Sequence, residues 1–383
     1  MSPTALPSSR RDQRLDFLRG IALVTIFVNH VPGTAYENYT TRNFGFSDAA
    51  EAFVLMSGIA AAFAYTSTMK SDFRSGLAKA AARAFKLYRV HLLISLLAML
   101  AVAAVAVVTG DYGMLGKNNF GSLLATPVAT ASGLVALTHQ FGYVNILPLY
   151  AVLMLFAPLM IAVALRSTVA LRSTVALVAV STLVWLAAGL TGANFPTYPV
   201  AGGWFLDPLS WQLVFALGIA VGVSAREGRA FARFNRVAFV CAAAYLLASC
   251  AVVQLSLWNI AILPGVPEVL GGYNKMFLSL PRLLHVLALA YVVVHFRGTM
   301  AAANANWSRP LRFLGSNSLA VFATGTVLCI AIQSLRPSLP GGAVADLALL
   351  SAGLAIQFAA AGWNEIIDSA KARVRLPVRG SAA

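Results

Sequence analysis

Residues 19–30 read RGIALVTIFVNH, an apolar run that begins with an arginine and ends with a histidine. In an α-helix the steps from Arg19 to His30 turn through about 1100°, three turns and about 20°, so both side chains share one face. They are roughly 16 Å apart along the axis, and Asp16 joins the same face. Ionisable groups inside a membrane span are costly and usually serve a function. This helix is therefore predicted to carry a cation near one membrane face and an imidazole near the other.

The composition indicates a polytopic membrane protein. Of the 383 residues, 59% are hydrophobic and 11% are charged, against about a quarter charged in soluble domains. We expect an all-α bundle of about ten transmembrane helices, forming one domain over 1–383 with a polar N-terminus at 1–14 and a basic tail at 366–383. The predicted spans are 16–33, 48–66, 87–109, 144–165, 174–191, 209–225, 237–257, 279–297, 312–333 and 345–365.

The basic residues fall mostly on one side of these spans. With the N-terminus inside, 23 of the 28 Lys and Arg lie on the inner side or in the inner ends of spans. By the positive-inside rule both termini are predicted to be cytoplasmic. Topology and lipid headgroups then explain the net charge of +15, so we expect membrane lipid and no nucleic acid as partner, and a homo-oligomer is left open. The outer cations are Arg42, Lys117, Lys275, Arg282 and Arg336.

His30 is the first candidate catalytic residue, because histidine titrates near neutral pH and can act as a general base. Asp48 and Glu51 begin the next span, one turn apart, and the short connection from Val31 should keep them near His30. Either carboxylate would then stabilise the imidazolium. The alternative is that Asp48 caps the helix and that both acids favour its N-terminal turn.

A basic cluster lines the entry to the third span in RAFKLYRVH, at 83–91. Arg83, Lys86 and Arg89 follow one another at intervals of three, which predicts neighbouring positions on a helix, and His91 follows them. They are interpreted either as topology signals or as a cradle for the phosphates of a cytosolic nucleotide. A phosphate-binding GxxxxGK[ST] loop is absent from the sequence, which excludes a P-loop nucleotidase.

Further polar candidates lie near the predicted outer face. Arg282 and His285 are spaced i,i+3 in LPRLLH, with Asn274 and Lys275 shortly before them. They are predicted either to line the same outer cavity as His30 or to be a surface anchor and a core histidine. The outer loops 192–208 and 258–280 are rich in Gly, Pro and aromatic residues and could cover such a cavity or be plain connectors. Weaker candidates for substrate contact are Tyr150 and Trp211.

Several of these segments together resemble a known family. They are LDFLRGIALVTIFVNH (15–30), RNFGFSDAAEAFVLMSG (42–58), ARAFKLYRVHLL (82–93), NILPLYAVLML (145–155), PLSWQLVFALG (208–218), PRLLHVLALAY (281–291) and PLRFLGSNSLAVF (310–322). They resemble the OpgC family, integral-membrane enzymes that succinylate osmoregulated periplasmic glucans. The spacing of Arg19 and His30 is similar to the hallmark of the wider acyltransferase 3 superfamily. Asn29 departs from the aspartate that often precedes this histidine.

The resemblance implies a membrane O-acyltransferase of the bacterial inner membrane. Its donor would be cytosolic acyl-CoA, as succinyl-CoA or acetyl-CoA, and its acceptor a hydroxyl of a periplasmic glucan. His30 would be catalytic, with Arg19 and the basic inner residues holding coenzyme A and no metal involved. Arg282, Arg42 or Lys275 could hold the free carboxylate of a succinyl group, and Asp16 is a further substrate-binding candidate. The alternatives are a transporter or flippase of a sugar or lipid-linked glycan, or an acyltransferase with another acceptor.

Overall fold

The computed structural model describes residues 13–166, 170–258 and 264–375. In these ranges the chain is helical and forms no β-strand, apart from one isolated antiparallel bridge between Pro196 and Gly203. The α-helices are α1 Gln13–Asn29, α2 Ala49–Ser71, α3 Phe73–Thr109, α4 Ser122–Ala125, α5 Pro127–Val135, α6 Ile146–Leu165, α7 Ala170–Thr191, α8 Pro208–Arg226, α9 Arg236–Gln254, α10 Glu268–Gly271, α11 Leu280–His295, α12 Arg297–Asn304, α13 Arg309–Ser316, α14 Ser318–Leu335 and α15 Ala343–Arg375.

Eight helices in the described ranges are long and apolar enough to cross a membrane, which makes this a multi-pass membrane protein. The number becomes nine if α11 and α12, which meet at a bend of 71°, are counted as one broken span. The expectation of about ten spans is therefore met only in part. Each predicted span has a helical counterpart, but α1 has 17 residues and α11 has 16, which is short for a membrane crossing.

The first span ends earlier than the hydropathy pattern predicts. Helix α1 stops at Asn29, and the His30 N–H still donates to the carbonyl of Ile26 at 3.0 Å. Pro32 has no N–H and disfavours helical geometry in the residue before it, and Gly33 follows with a φ of +80°. His30 therefore lies just beyond the last helical residue, at the mouth of the bundle.

Two other boundaries also differ from prediction. Helix α3 runs unbroken from Phe73 to Thr109, because Asp72 caps its N-terminus and no proline or further glycine lies between Gly76 in its first turn and Gly110. The basic residues at the entry to the predicted third span are thus part of the same helix as the span itself. The span predicted at 312–333 is instead divided at Asn317 into α13 and α14.

Helix α8 forms the centre of the bundle, because 83% of its most apolar 18-residue stretch is buried inside the protein. Helix α9 is peripheral, with 6% of the corresponding stretch buried. Glycines allow α2 and α8 to meet at backbone distance. A Cβ on Gly58 would collide with the carbonyl of Phe215, and one on Gly218 with that of Leu55. Small residues commonly serve this purpose between membrane helices, where close van der Waals packing drives association. The exposed apolar side of α9, with Val237, Val240 and Leu247, is suited to lipid.

Candidate functional site

A cavity of about 740 Å³ opens at the end of the bundle that carries His30. We call it the outer cavity, after the predicted topology. Its walls come from the end of α1, the start of α2 and the loops before α6, α8 and α11. Both Gly- and aromatic-rich loops contribute, with Trp204, Phe205 and Trp258 among their lining residues. The lining also contains the charged side chains Arg42, Asp48, Lys275 and Arg282.

His30 is held in this cavity while its ring nitrogens stay available. Its backbone carbonyl accepts a hydrogen bond of 2.6 Å from Gln333 Nε2. Its ring packs edge-on against Tyr143, with 4.5 Å between ring centroids. Among the described residues the imidazole of His30 makes no hydrogen bond to protein. A half-buried imidazole with free nitrogens can accept a proton from a ligand in the cavity.

The acidic pair beside His30 has other partners. Glu51 is fully buried and accepts from Arg282 Nε at 2.8 Å and from a second nitrogen of the same guanidinium. Asp48 pairs with Lys275 and lies 3.7 Å from Arg282. In the described structure neither Asp48 nor Glu51 accepts a hydrogen bond from the His30 ring, because these carboxylates neutralise two cations of α11 and the loop before it.

The same carboxylates form a capping box at the start of α2. Asp48 Oδ1 accepts from the N–H of Ala50 at 2.8 Å, and Glu51 Oε2 accepts from the N–H of Asp48 at 3.0 Å. Capping and ion pairing therefore operate together, since each carboxylate has two oxygens and several acceptor positions. The result is a neutral cluster of Asp48, Glu51, Lys275 and Arg282, which we call the charge cluster.

His285 lies behind the wall of the outer cavity and is not among its lining residues. It is 5% exposed, and its Nδ1 is 2.6 Å from the hydroxyl of Ser47. Gly45 makes room for the ring, because a Cβ there would collide with the imidazole. Of the two predicted alternatives, the structure therefore agrees with the core histidine, which holds the loop that leads into α2, and not with a position in the cavity.

Trp211 and Asn274 also lie outside the outer cavity lining, although they were predicted as substrate contacts. Trp211 is fully buried, and its indole N–H donates to the carbonyl of Lys275 at 3.0 Å. Asn274 accepts from the N–H of Met276 at 2.8 Å. Both side chains therefore fix the backbone that carries Lys275.

A second cavity, of about 200 Å³, lies deeper in the bundle, and we call it the inner cavity. It is lined by Arg19, Arg83 and Tyr150, as well as by Tyr65 and Ser57. Arg19 donates to the carbonyl of Met56 at 3.1 Å. Phe322 lines both cavities, so its ring lies between them.

The basic residues of the predicted cradle do not all face the inner cavity. Each step of three residues turns a helix about 60° short of a full revolution, so Arg83 and Arg89 differ by about 120°. Arg83 lines the inner cavity, whereas Lys86 and Arg89 are exposed, with Arg89 over the ring of Phe85. His91 is fully buried, and neither ring nitrogen has a hydrogen-bond partner in the described structure.

Asp16 is also remote from the outer cavity. It lies in the first turn of α1, is 6% exposed and does not line either cavity. Its backbone carbonyl lies so close to α13 that a Cβ on Gly315 would collide with it. The position indicates helix packing, in place of the predicted contact with substrate.

Sequence reasoning missed several residues around His30. Tyr143 and Gln333 contact it directly, and a Gln inside the apolar run of α14 was an available signal. His139 and Gln140 line the cavity from the loop before α6, where nothing in the sequence marked them. Burial lowers the pKa of His139, so its ring stays neutral near pH 7. Burial also raises the pKa of Tyr143, which keeps its hydroxyl protonated as a donor.

The comparison with protein families identifies this chain. Residues 11–369 match the family model described as OpgC protein. The chain belongs to the OpgC family. No curated protein and no solved structure was found to match this OpgC chain. In the described residues there is also no group of three or more His, Cys, Asp or Glu that could hold a metal ion.

Proposed function

We propose that this OpgC protein transfers a succinyl group from cytosolic succinyl-CoA to a hydroxyl of a periplasmic glucan across the bacterial inner membrane. The observation that carries the proposal is the pair of adjoining cavities with His30 in the outer one and Arg83 in the inner one. Family membership supports a glucan acyltransferase, and the arrangement offers separate positions for a charged donor and a polar acceptor.

The inner cavity suits the donor, because Arg19 and Arg83 add positive charge on the side predicted to face the cytoplasm. The phosphates of coenzyme A would remain at that entrance. The slender pantetheine arm would extend past Phe322, whose side chain lies between the inner and the outer cavity. Its thioester would then reach the outer cavity beside His30.

His30 supplies the base in this proposal. Its free ring nitrogen takes the proton of a glucan hydroxyl while the oxygen attacks the thioester carbonyl. The new ester C–O bond forms, the C–S bond breaks, and the coenzyme A thiolate leaves with the proton returned by the imidazolium. The phenol of Tyr143, beside the His30 ring, is a hydrogen-bond donor within the same site. Attack of the imidazole itself, to give an acyl-histidine, is the alternative order of events.

The test is acyl transfer by the purified protein in nanodiscs, with succinyl-CoA and a neutral glucan. His30→Ala should reduce ester formation by at least about 100-fold, the usual contribution of a general base, while leaving coenzyme A binding intact. The control is His295→Ala, because His295 is partly buried at the end of α11 but lines neither cavity. Near-normal turnover of the His30 variant would exclude this residue as the base. With the native protein in proteoliposomes, glucan movement across the bilayer without thiol release would instead indicate a transporter.

A further inference from the structure

Three cations line the outer cavity, and they differ in how their charge is compensated. The side chain of Arg282 is 12% exposed and is committed to Glu51, with Asp48 close by. Lys275 is paired with Asp48 and lies over the ring of Phe205. Two carboxylates therefore balance these two cations, and a further anion would enter a cluster with no surplus positive charge.

Arg42 is the exception. It is exposed on the turn Thr41–Asn43, and it makes no ion pair or hydrogen bond through its side chain with any residue in the described ranges. The acidic residue of the preceding turn, Glu37, directs its carboxylate to the N–H of Gly33 at 2.9 Å. The positive charge of Arg42 is thus left for the cavity that it lines.

The turn that carries Arg42 is fixed relative to His30. The Thr40 hydroxyl donates to the carbonyl of Glu37 at 2.7 Å and shares this hydrogen with Asn29 Oδ1 at 3.2 Å, a longer contact with the residue before His30. On the other side Gln254 donates to the carbonyl of Asn43 at 2.8 Å, which ties it to the end of α9. Arg42 and His30 line the same cavity.

We infer that Arg42 recognises the free carboxylate of the donor's acyl group and so makes this protein selective for a dicarboxylic acyl chain. The inference rests on the proposed function, in which the donor enters from the inner cavity. With the thioester at His30 and coenzyme A on the Arg83 side, the far end of the acyl chain points into the outer cavity. A guanidinium forms paired charge-assisted hydrogen bonds with a carboxylate, and Arg42 carries the uncompensated charge there.

The test compares two donors of equal chain length, succinyl-CoA and butyryl-CoA, on one glucan acceptor. For Arg42→Gln, kcat/KM with succinyl-CoA should fall about 10- to 100-fold, whereas the value with butyryl-CoA should stay the same or rise. Arg42→Glu should lower succinyl transfer further by repulsion. The matched control is Lys117→Gln, which removes another exposed cation of the predicted outer side that does not line the cavity.

Each outcome has one meaning. A switch of preference from succinyl to butyryl in the Arg42 variants, with the control unchanged, supports carboxylate recognition. Equal loss with both donors, or no loss with either, overturns it while leaving the acyltransferase intact. Failure of the native protein to transfer any acyl group refutes the proposed function instead. Because Arg42 is exposed, unchanged thermal stability should accompany the switch.

Discussion

The ion pair between Arg282 and Glu51 should contribute strongly to stability. Glu51 is fully buried and Arg282 is nearly so, which separates this pair from ordinary surface salt bridges. Arg282→Gln would leave a buried carboxylate without its cation, and such a loss costs about 3–5 kcal/mol of unfolding free energy. Lys275→Gln is the matched comparison. Lys275 is more exposed, at 27%, and Asp48 would keep its hydrogen bond to Ala50, so we expect a loss of about 1 kcal/mol or less.

The free energy of unfolding can be measured by reversible denaturation in mixed micelles, with acyl transfer assayed in parallel. The double variant Glu51→Gln/Arg282→Gln should recover most of the stability lost in Arg282→Gln, because no unpaired charge then remains. Transfer from succinyl-CoA and butyryl-CoA should fall together in Arg282→Gln. The reasoning would be refuted by a loss below about 1 kcal/mol, or by a fall restricted to succinyl-CoA.

Two further predictions concern the other sites. Arg83→Ala should weaken donor binding by about 1.5–3 kcal/mol, whereas Lys86→Ala should leave it unchanged, because only Arg83 of these two lines the inner cavity. Calorimetry with succinyl-CoA measures the affinity of each variant. Equal effects of the two substitutions would show that a position in the inner cavity does not decide which cation binds the donor. Gly45→Ala should destabilise the protein by about 1–3 kcal/mol, because the new Cβ would collide with the buried ring of His285. In the double variant with His285→Ala, most of the destabilisation caused by Gly45→Ala should disappear. If the thermal shifts of the two substitutions were strictly additive, the contact between residue 45 and the His285 ring would be contradicted.

Helix α3 shows what the periodicity of a sequence can predict and what it cannot. The sequence predicted a shared basic face from intervals of three residues, but it could not say which part of that face meets the bundle. The neighbouring helices α6 and α14 pack against α3, and this packing places Arg83 toward the inner cavity, His91 in the core and Arg89 outside. Helical geometry fixes relative angles along one helix, whereas rotation about its axis depends on other segments.

The sequence by itself determined that the chain is a helical multi-pass membrane protein with a histidine at the end of its first apolar helix. This follows because a chain in lipid must satisfy its backbone hydrogen bonds internally, so long apolar runs become helices. Only the tertiary structure decided how the charges are shared. Glu51 and Arg282 are 231 residues apart and pair within the bundle, while Arg42 stays unpaired at the cavity that contains His30. Such pairing depends on which helix ends meet in space, and local sequence does not encode those distances.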